Sequence, residues 1–425
     1  MRVSTYGDGM HIPTLFAVAL LDVPLLTSIA HAETVRATAA DAFVDSVGVN
    51  IHVHYQGTVY DHATNLKAAL QKLGVRHVRD GLVDSQWETY FQRHNDLGRS
   101  GIRCTFITGM PVDRVLPLAT KLKDAIEAFE GPNEVNLNKW TPERASQYQK
   151  DLWTTIRADA AWAKHPVLCL SVTDYDYGAK LGDLSAFVDY GNIHPYPGGW
   201  EPENGSVWMK ADLPTGLKGG RQFTGVKPMI ITETGYTTHR AKEGHVAVTP
   251  EMAGIYLPRM LLHIFSSDVK RTFIYELFDL HDNPQDQESN FGLIRSDGVT
   301  FKPAGTAMGN LLTILRDPGA TFRPTSLDFQ VSEAKTRTAL FQKRDGAFYL
   351  AVWLPSNLWD QSRPYGQKQQ ADPADLPCTI TFAKPPRAVT AITGLDSTLS
   401  ENVLVAARTV TLTASERVTI LRITP

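Results

Sequence analysis

Short apolar runs alternate with longer stretches of helical periodicity from about Asp41 to about residue 316. Successive parallel strands need a crossover connection, usually a helix, so this alternation predicts a parallel α/β architecture. Eight repeats of strand then helix predict a (β/α)8 barrel, the TIM barrel. The predicted barrel strands are 47–55, 75–79, 101–108, 126–130, 167–172, 187–194, 228–232 and 271–276. The predicted helices are 63–73, 88–95, 118–125, 141–164, 251–266 and 303–315.

The pattern changes after the Asp-Pro-Gly turn at 317–319, where helical periodicity stops and short alternating strands begin. Such strands, separated by turns, predict a C-terminal antiparallel β-sandwich. Residues 33–318 are therefore predicted to form the barrel and residues 319–425 the sandwich, with a long loop at 356–377. The predicted sandwich strands are 337–343, 348–354, 378–382, 388–392, 408–413 and 418–423.

The N-terminus has the pattern of an export signal. Residues 12–30 are mostly apolar, and Ala30-His31-Ala32 is a small-x-small cleavage site. Only Arg2 precedes the apolar run as a basic residue, and Asp22 interrupts the run. The apolar stretch is short for a transmembrane anchor, and no basic cluster follows it. We expect residues 1–32 to be removed, no membrane insertion after cleavage, and a secreted or periplasmic protein.

Composition excludes several classes of partner. A net charge of −3 gives no reason to expect nucleic acid or an anionic membrane. The three cysteines, at 104, 169 and 378, are odd in number and widely spaced, which argues against a disulfide framework or a zinc site. We expect no cofactor and no metal, and the sequence does not determine the oligomeric state.

Two glutamates stand at the ends of predicted strands. Glu134 follows strand 4 and Glu233 ends strand 7, each after an apolar run and before a turn. Catalytic groups of such barrels lie at the carboxyl ends of the strands, so the two side chains are expected to face each other across the mouth. The alternative is that each is a surface residue or a helix-cap partner. Two carboxyl groups across one cleft are what glycoside hydrolysis requires.

The residues around both glutamates resemble the clan A glycoside hydrolases. The motif Gly-Pro-Asn-Glu at 131–134 is similar to the clan's acid/base motif, and Ile-Thr-Glu-Thr-Gly at 231–235 to its nucleophile strand. Residues 75–80 are similar to its strand 2 and residues 192–196 to its strand 6. The resemblance covers roughly residues 41–316 and leans toward family 39 or family 5. One departure lies on strand 8, where many members have a Trp and this chain reads Tyr-Glu-Leu-Phe at 275–278.

The resemblance implies a retaining mechanism with Glu134 as acid/base and Glu233 as nucleophile. Ionised Glu233 opposes ionisation of Glu134 by like-charge repulsion, which keeps a proton available for the leaving oxygen. Arg79 is expected to hold Glu233 ionised, with a structural salt bridge to Asp80 or another strand-end carboxylate as the alternative. Glu130 shares the strand face of Glu134 and is expected to be a buried, hydrogen-bonded carboxylate lower in the barrel. Asn133 is expected to hydrogen-bond the sugar 2-hydroxyl.

Further residues are expected to contact substrate. Strand alternation places His194 and Tyr196 on one face, where Tyr196 can reach Glu233, whereas His194 is equally well explained as a structural histidine. In place of that strand 8 Trp, Tyr275, Glu276 or Phe278 is expected to form the floor beneath the −1 sugar. For the aromatic residues ordinary packing is the competing interpretation. The remaining candidates are His54, Glu276 and the loop aromatics Trp200, Trp208 and Tyr236.

The sequence as a whole predicts a retaining glycosidase that cleaves β-linked oligosaccharides or polysaccharides. A non-catalytic glycan-binding barrel and a transglycosylase that uses the same carboxylates stay open as alternatives. The C-terminal sandwich is expected to be a packing partner, because its strands show no exposed aromatic platform.

Overall fold

Eight parallel strands form a ring in the computed structural model, which describes residues 33–203, 213–241, 246–358 and 375–425. A parallel bridge between Leu168 and Tyr190 joins strand 5 to the entry of strand 6 and completes the ring. The predicted TIM barrel is therefore confirmed. Barrel strands 1 to 8 are Val47–Asn50, His77–Gly81, Arg103–Ile107, Ile126–Glu130, Val167–Leu168, Gly191–Ile193, Met229–Thr234 and Val269–Ile274. The predicted export signal, Trp208 and residues 359–374 of the predicted loop lie outside the described residues.

Strand 5 is much shorter than its apolar run predicts. Residues 169–172 are buried, but the Leu170 N–H donates to the Gln149 side chain at 2.9 Å and the Ser171 N–H to the Pro132 carbonyl at 3.2 Å. These donors bond to a side chain and a loop, so the chain leaves the regular ladder after Leu168. Ser171 thereby comes next to the residues that follow strand 4.

The helices surround the barrel, and their ends follow local signals. The second helix ends at Gly74, whose φ of 79° suits glycine, as predicted. Thr141 caps the helix that starts at Pro142 by accepting from the Arg144 N–H at 3.3 Å. That helix stops at Ala158 and not near 164, because Asp159 leaves the helical conformation. The α-helices are Ala40–Asp45, Ala63–Leu73, Glu88–Arg99, Val115–Lys121, Pro142–Ala158, Tyr175–Gly178, Leu213–Thr224, Pro250–Phe265 and Pro303–Leu315.

Two antiparallel sheets form the C-terminal sandwich and confirm that prediction. Buried apolar side chains from both sheets make its core, among them Phe329, Phe348, Ile380 and Leu421. The four-stranded sheet has the order Glu33–Arg36, Ser326–Val331, Leu376–Phe382 and Thr409–Ala414. The six-stranded sheet has the order Ser400–Leu404, Ala388–Thr393, Thr419–Thr424, Phe348–Trp353, Arg337–Gln342 and Thr38–Ala39; the last strand pairs in parallel.

The first two described strands belong to the sandwich sheets. Glu33–Arg36 pairs with Ser326–Val331, and Thr38–Ala39 pairs with Arg337–Gln342. Residues 33–39 therefore extend the C-terminal sheets, although the sequence places them in the barrel segment. Among the described residues no helix is long and apolar enough to cross a bilayer.

Candidate active site

A cavity of about 620 Å³ opens at the carboxyl ends of the barrel strands. Residues at or after the end of every strand contribute to its wall, which is the expected place for a site in this fold. One contributor from each strand, in order, is His52, Asp84, Met110, Glu134, Thr173, Tyr196, Glu233 and Tyr275.

Glu134 lies at the cavity wall in an unusual backbone conformation. Its φ is 42°, in the left-handed region that non-glycine residues rarely adopt. Its N–H donates to the Ser171 hydroxyl at 2.8 Å, which fixes the turn after strand 4. The side chain is 20% exposed, and its Oε1 lies 2.9 Å from His194 Nδ1. Such backbone strain is commonly found at functional sites.

Glu233 is buried and held through both carboxylate oxygens. Arg79 donates to its Oε1 at 2.6 Å, and the Tyr196 hydroxyl donates to its Oε2 at 2.9 Å. Burial opposes ionisation, but the charges of His194 and Arg79 and these hydrogen bonds outweigh it and lower the pKa of Glu233 to about 2. Glu233 is therefore an anion at neutral pH, and the predicted contact with Tyr196 is present.

The two glutamates and His194 form one cluster. One oxygen of Glu134, one of Glu233 and a ring nitrogen of His194 all lie within 4.8 Å of one another. Three such atoms are a possible ligand set for a metal ion. Arg79 and Tyr196 already donate to Glu233, however, and a cation would compete with both. The expectation of no metal stays an expectation.

Arg79 joins the cavity to a polar layer deeper in the barrel. It donates to Glu130 through two nitrogens at 2.7 Å each and to Asn50 at 2.9 Å. Glu130 is fully buried and also accepts from Asn192, so it is the hydrogen-bonded carboxylate expected below the site. In the described residues Asp80 contacts His54 and His94 and not Arg79. Glu130 ends strand 4 and pairs with Arg79, so the alternative of a salt bridge to another strand-end carboxylate is present beside the contact with Glu233.

Asn133 is oriented by its neighbours. Its Oδ1 accepts from Arg79 Nη2 at 2.8 Å and from the Ser171 hydroxyl at 3.2 Å. Both contacts use the carbonyl end of the amide, so the NH₂ end is left for a ligand in the cavity that Asn133 lines. This geometry suits a donor to a sugar hydroxyl, and the 2-hydroxyl contact stays a prediction.

His194 belongs to the site. Its Nδ1 faces Glu134, and its Nε2 lies 2.9 Å from the Thr232 hydroxyl. Burial disfavours its charged form, but Glu233 and Glu134 outweigh burial and raise the pKa of His194. A histidine with this environment can exchange a proton with Glu134 or hold it in position. The contacts at both ring nitrogens also suit a structural histidine, so a role of His194 in substrate binding stays a prediction.

Three expected substrate contacts are not part of the cavity wall. Tyr236 is buried, packs against Tyr256 of the helix Pro250–Phe265, and donates to the Trp200 carbonyl at 3.1 Å. Trp200 is 36% exposed and lies outside the lining. Glu276 is fully buried behind the wall. Tyr236 thus packs toward the helices, Glu276 lies in the interior, and Trp200 is partly exposed outside the wall. Their positions after the strands did not reveal this.

The strand 8 side of the cavity is formed by Tyr275. Strand 8 ends at Ile274, so Tyr275 is the first residue past the ladder and reaches the cavity, whereas Phe278 is buried. The peptide bond between Tyr275 and Glu276 is cis. His54 lines the cavity as expected. His52 also lines it, and its position on the same strand face as His54 was the available signal.

No family model and no curated protein matches this chain. Solved structures do. A family 39 glycoside hydrolase from Bacteroides cellulosilyticus WH2 has a TM-score of 0.64 at 15% identity, covering 91% of this chain and 82% of its own. An α-L-arabinofuranosidase of family 51 from Thermotoga petrophila has a TM-score of 0.60 at 12% identity, over 92% of this chain and 98% of its own.

A monomeric β-xylosidase from Caulobacter crescentus has a TM-score of 0.57 at 16% identity, over 93% of this chain and 98% of its own. At these identities the likeness concerns the fold. It spans the barrel and the sandwich together, since more than nine tenths of the chain is covered in each case. The resemblance to clan A glycoside hydrolases is thus confirmed at the level of the fold: the chain has their TIM barrel with an attached β-sandwich.

Proposed function

We propose that this protein is a retaining glycosidase that cleaves β-linked oligosaccharides or polysaccharides. The observation that carries the proposal is the close approach of the two carboxylates, whose nearest oxygens lie within 4.8 Å across one cavity. Retaining enzymes need carboxyl groups about 5–5.5 Å apart so that one can attack directly, whereas inverting enzymes leave about 6.5–9.5 Å for a water molecule.

The environments of the two carboxyl groups suit different roles. Glu233 is held as an anion by Arg79 and Tyr196 and is the nucleophile that attacks the anomeric carbon. Glu134 is partly exposed, contacts His194, and donates its proton to the leaving oxygen. This step forms the bond from Glu233 to the anomeric carbon and breaks the glycosidic bond. Water then attacks the glycosyl-enzyme, Glu134 takes its proton, and Glu233 leaves as a carboxylate.

The proposal is tested by Glu134→Gln and Glu233→Gln on a panel of 4-nitrophenyl β-glycosides and natural β-linked oligosaccharides. Loss of the nucleophile is expected to lower kcat by at least about 1000-fold, and loss of the acid/base by about 100- to 10,000-fold. Glu134→Gln should slow activated glycosides less, because 4-nitrophenolate needs no proton to leave.

Glu143→Gln, an exposed change on the helix Pro142–Ala158, is the matched control and should retain full activity. Unchanged hydrolysis in both active-site variants would refute the proposal. Binding of glycans without turnover by the unaltered protein would instead favour a non-catalytic barrel.

A transglycosylase is the second candidate, because it uses the same carboxylates and differs in the acceptor. Product analysis by mass spectrometry with added sugar acceptor separates the two activities. Export belongs to the proposal as well: the mature secreted or periplasmic protein is expected to begin at Glu33. The mass of the protein recovered outside the cytoplasm tests this cleavage site.

A further inference from the structure

His52 and Glu276 form a buried acid–base pair behind one corner of the cavity. The His52 ring lines the cavity, stacks on Tyr55 with ring centroids 4.5 Å apart, and meets the edge of Tyr275 at 5.5 Å. Glu276 is fully buried behind it, with its Oε2 3.1 Å from His52 Nε2. None of the proposed catalytic steps uses either residue.

The pair is isolated from other hydrogen-bonding groups. Among the described residues the approach of His52 Nε2 to Oε2, at 3.1 Å, is the polar contact that the Glu276 carboxyl group makes. An unpaired carboxylate in the interior is strongly disfavoured, so a proton is retained nearby. Burial raises the pKa of Glu276 to about 7, although His52 opposes the rise. Burial disfavours charge on His52 as well, but Glu276 outweighs it and raises the pKa of His52.

The shared proton determines what the other ring nitrogen can do. Since Nε2 faces Glu276, Nδ1 is the nitrogen left for a ligand. If Glu276 holds the proton and donates it to Nε2, the neutral ring carries its hydrogen on Nδ1. If His52 holds it, both nitrogens carry hydrogen. Nδ1 is therefore a donor wherever the proton lies. When the pair loses that proton, Nε2 keeps the remaining hydrogen toward Glu276 and Nδ1 becomes an acceptor.

The position of His52 and Glu276 in the ring of strands indicates which part of a substrate this corner of the cavity contacts. Strand 8 lies opposite strand 4 in a ring of eight, so the corner faces Glu134 across the cavity. Glu134 marks the leaving-group side, and the corner therefore borders the glycone. Asp84 and Glu288 bring the carboxylates in the wall to four, with Glu134 and Glu233, and the charge of Arg79 is already shared between Glu130 and Glu233. This arrangement favours a neutral sugar over a uronic acid.

We propose that His52 binds a neutral glycone through an Nδ1 donor and that Glu276 is the positioning residue that keeps Nδ1 a donor. The inference rests on the proposed function for the identity of the ligand. The group bound is an oxygen acceptor, a hydroxyl or the ring oxygen of the sugar.

Other charged and titratable groups surround the pair. Asp80 and Glu233 stay ionised through their own partners, and Asp279 is paired with Lys302 at 2.9 Å. Burial raises the pKa of Glu288 and of the neighbouring tyrosines. Glu288 is therefore a second carboxyl group with a raised pKa near the pair, and it is unchanged in a Glu276 variant. The groups that face the pair are Asp80, Glu233, His54, Tyr55, Tyr60 and Tyr275 around His52, and Glu288, Asp279, Lys302 and the same tyrosines around Glu276.

The variant Glu276→Gln separates the proposal from a plain ion pair. Its amide NH₂ can donate to Nε2 at every pH, which holds the hydrogen on Nδ1. Binding is measured with a thio-linked analogue of the best-hydrolysed glycoside in the Glu134→Gln background, where the acid/base no longer titrates. From pH 6 to 8.5 we expect Kd to rise about tenfold with Glu276 present and to stay constant with Glu276→Gln.

Nitrogen-15 NMR of labelled histidine provides a readout independent of turnover, with the His52 signals identified by their loss in His52→Asn. In the unaltered protein the Nδ1 signal should change from that of a protonated nitrogen to that of an unprotonated nitrogen as the pH rises. In Glu276→Gln it should remain that of a protonated nitrogen. The same titration in both proteins overturns the proposal, as does a pH-independent Kd in the presence of Glu276. If no glycoside is hydrolysed, the proposed function fails, while the NMR result still decides the role of Glu276.

Discussion

Two buried arginines in this protein use the same chemistry for different ends. Arg79, at the barrel mouth, forms a bidentate pair with Glu130 and extends a further nitrogen to Glu233 in the cavity wall. Arg259, on the helix Pro250–Phe265, forms a bidentate pair with Glu203 at 3.0 and 2.6 Å. Both arginines are essentially inaccessible to solvent.

The two arginine clusters differ in whether a carboxylate paired with the arginine borders the cavity. Glu203 also accepts from the Trp353 indole at 2.7 Å, and Arg259 donates to the Ser356 carbonyl, so this cluster joins a barrel loop, a barrel helix and the sandwich. Arg259 lies outside the wall of the cavity. Glu233, in contrast, is held at the edge of a space that a substrate can enter. A buried ion pair thus supports chemistry only where one partner reaches a cavity.

The largest expected effect comes from removing each arginine. Arg79→Met and Arg259→Met each leave a buried carboxylate without a counter-charge, which should lower the free energy of unfolding by about 3–5 kcal/mol. Arg79→Met should also abolish most activity, because Glu233 loses its strongest donor, whereas folded Arg259→Met should keep its kcat. Urea unfolding and kcat/KM per folded molecule measure the two effects.

The corresponding Arg→Lys variants are the controls, since each keeps a charge at the same place. Equal loss of activity per folded molecule in Arg79→Met and Arg259→Met would contradict the distinction between the two clusters.

A smaller effect is expected at the contact between barrel and sandwich. Trp353→Phe removes one donor to the buried charge of Glu203, which should lower the free energy of unfolding by about 2–3 kcal/mol. Activity per folded molecule should not change, because Trp353 lies outside the cavity wall. A changed KM with unaltered stability would show that the sandwich acts on the substrate and not through packing.

The smallest effect concerns the acidic limb of the pH profile. Glu233 has a depressed pKa of about 2, so its ionised form persists above that pH and is lost as the pH falls through it. Tyr196→Phe removes the donor to Oε2 and should move this loss upward by about 1–2 pH units. The measurement is kcat/KM between pH 3 and 7, with Tyr177→Phe, whose hydroxyl bonds to the Trp140 carbonyl, as control. An unshifted limb would mean that the charges of His194 and Arg79 set the ionisation of Glu233 without the Tyr196 hydroxyl.

Much of the candidate site could be predicted from the sequence. Glu134, Glu233, Arg79 and Tyr196 each lie at or near the end of a barrel strand, and barrel closure brings such ends together whatever the loops do. The clusters around Arg259 and Glu276 could not be predicted. Their partners come from distant elements, as with Glu203 and Trp353, and which side chains meet depends on how helices, loops and sheets pack.

Local pattern also failed where a loop turns a side chain away from the mouth. Tyr236 and Trp200 follow barrel strands, as real contributors such as Tyr275 do, yet they pack toward the outer helices or lie at the surface. The alternation of apolar and polar residues predicts which way side chains point within a strand. It does not predict the direction of side chains beyond the last paired residue. The strands at 33–39 were missed for a related reason, since their partners lie almost 300 residues further along the chain.

The sequence by itself determined the barrel, the sandwich and the facing pair of glutamates, because hydrophobic period and strand order constrain these features directly. Tertiary structure decided which charged partner each buried carboxyl group has, and therefore whether that group is ionised. Glu233, Glu276 and Glu203 are the same residue type, and all three are buried. Arg79 keeps Glu233 ionised at the edge of a cavity. Glu276 is buried beside His52 and retains a proton. Glu203 forms a buried structural ion pair with Arg259.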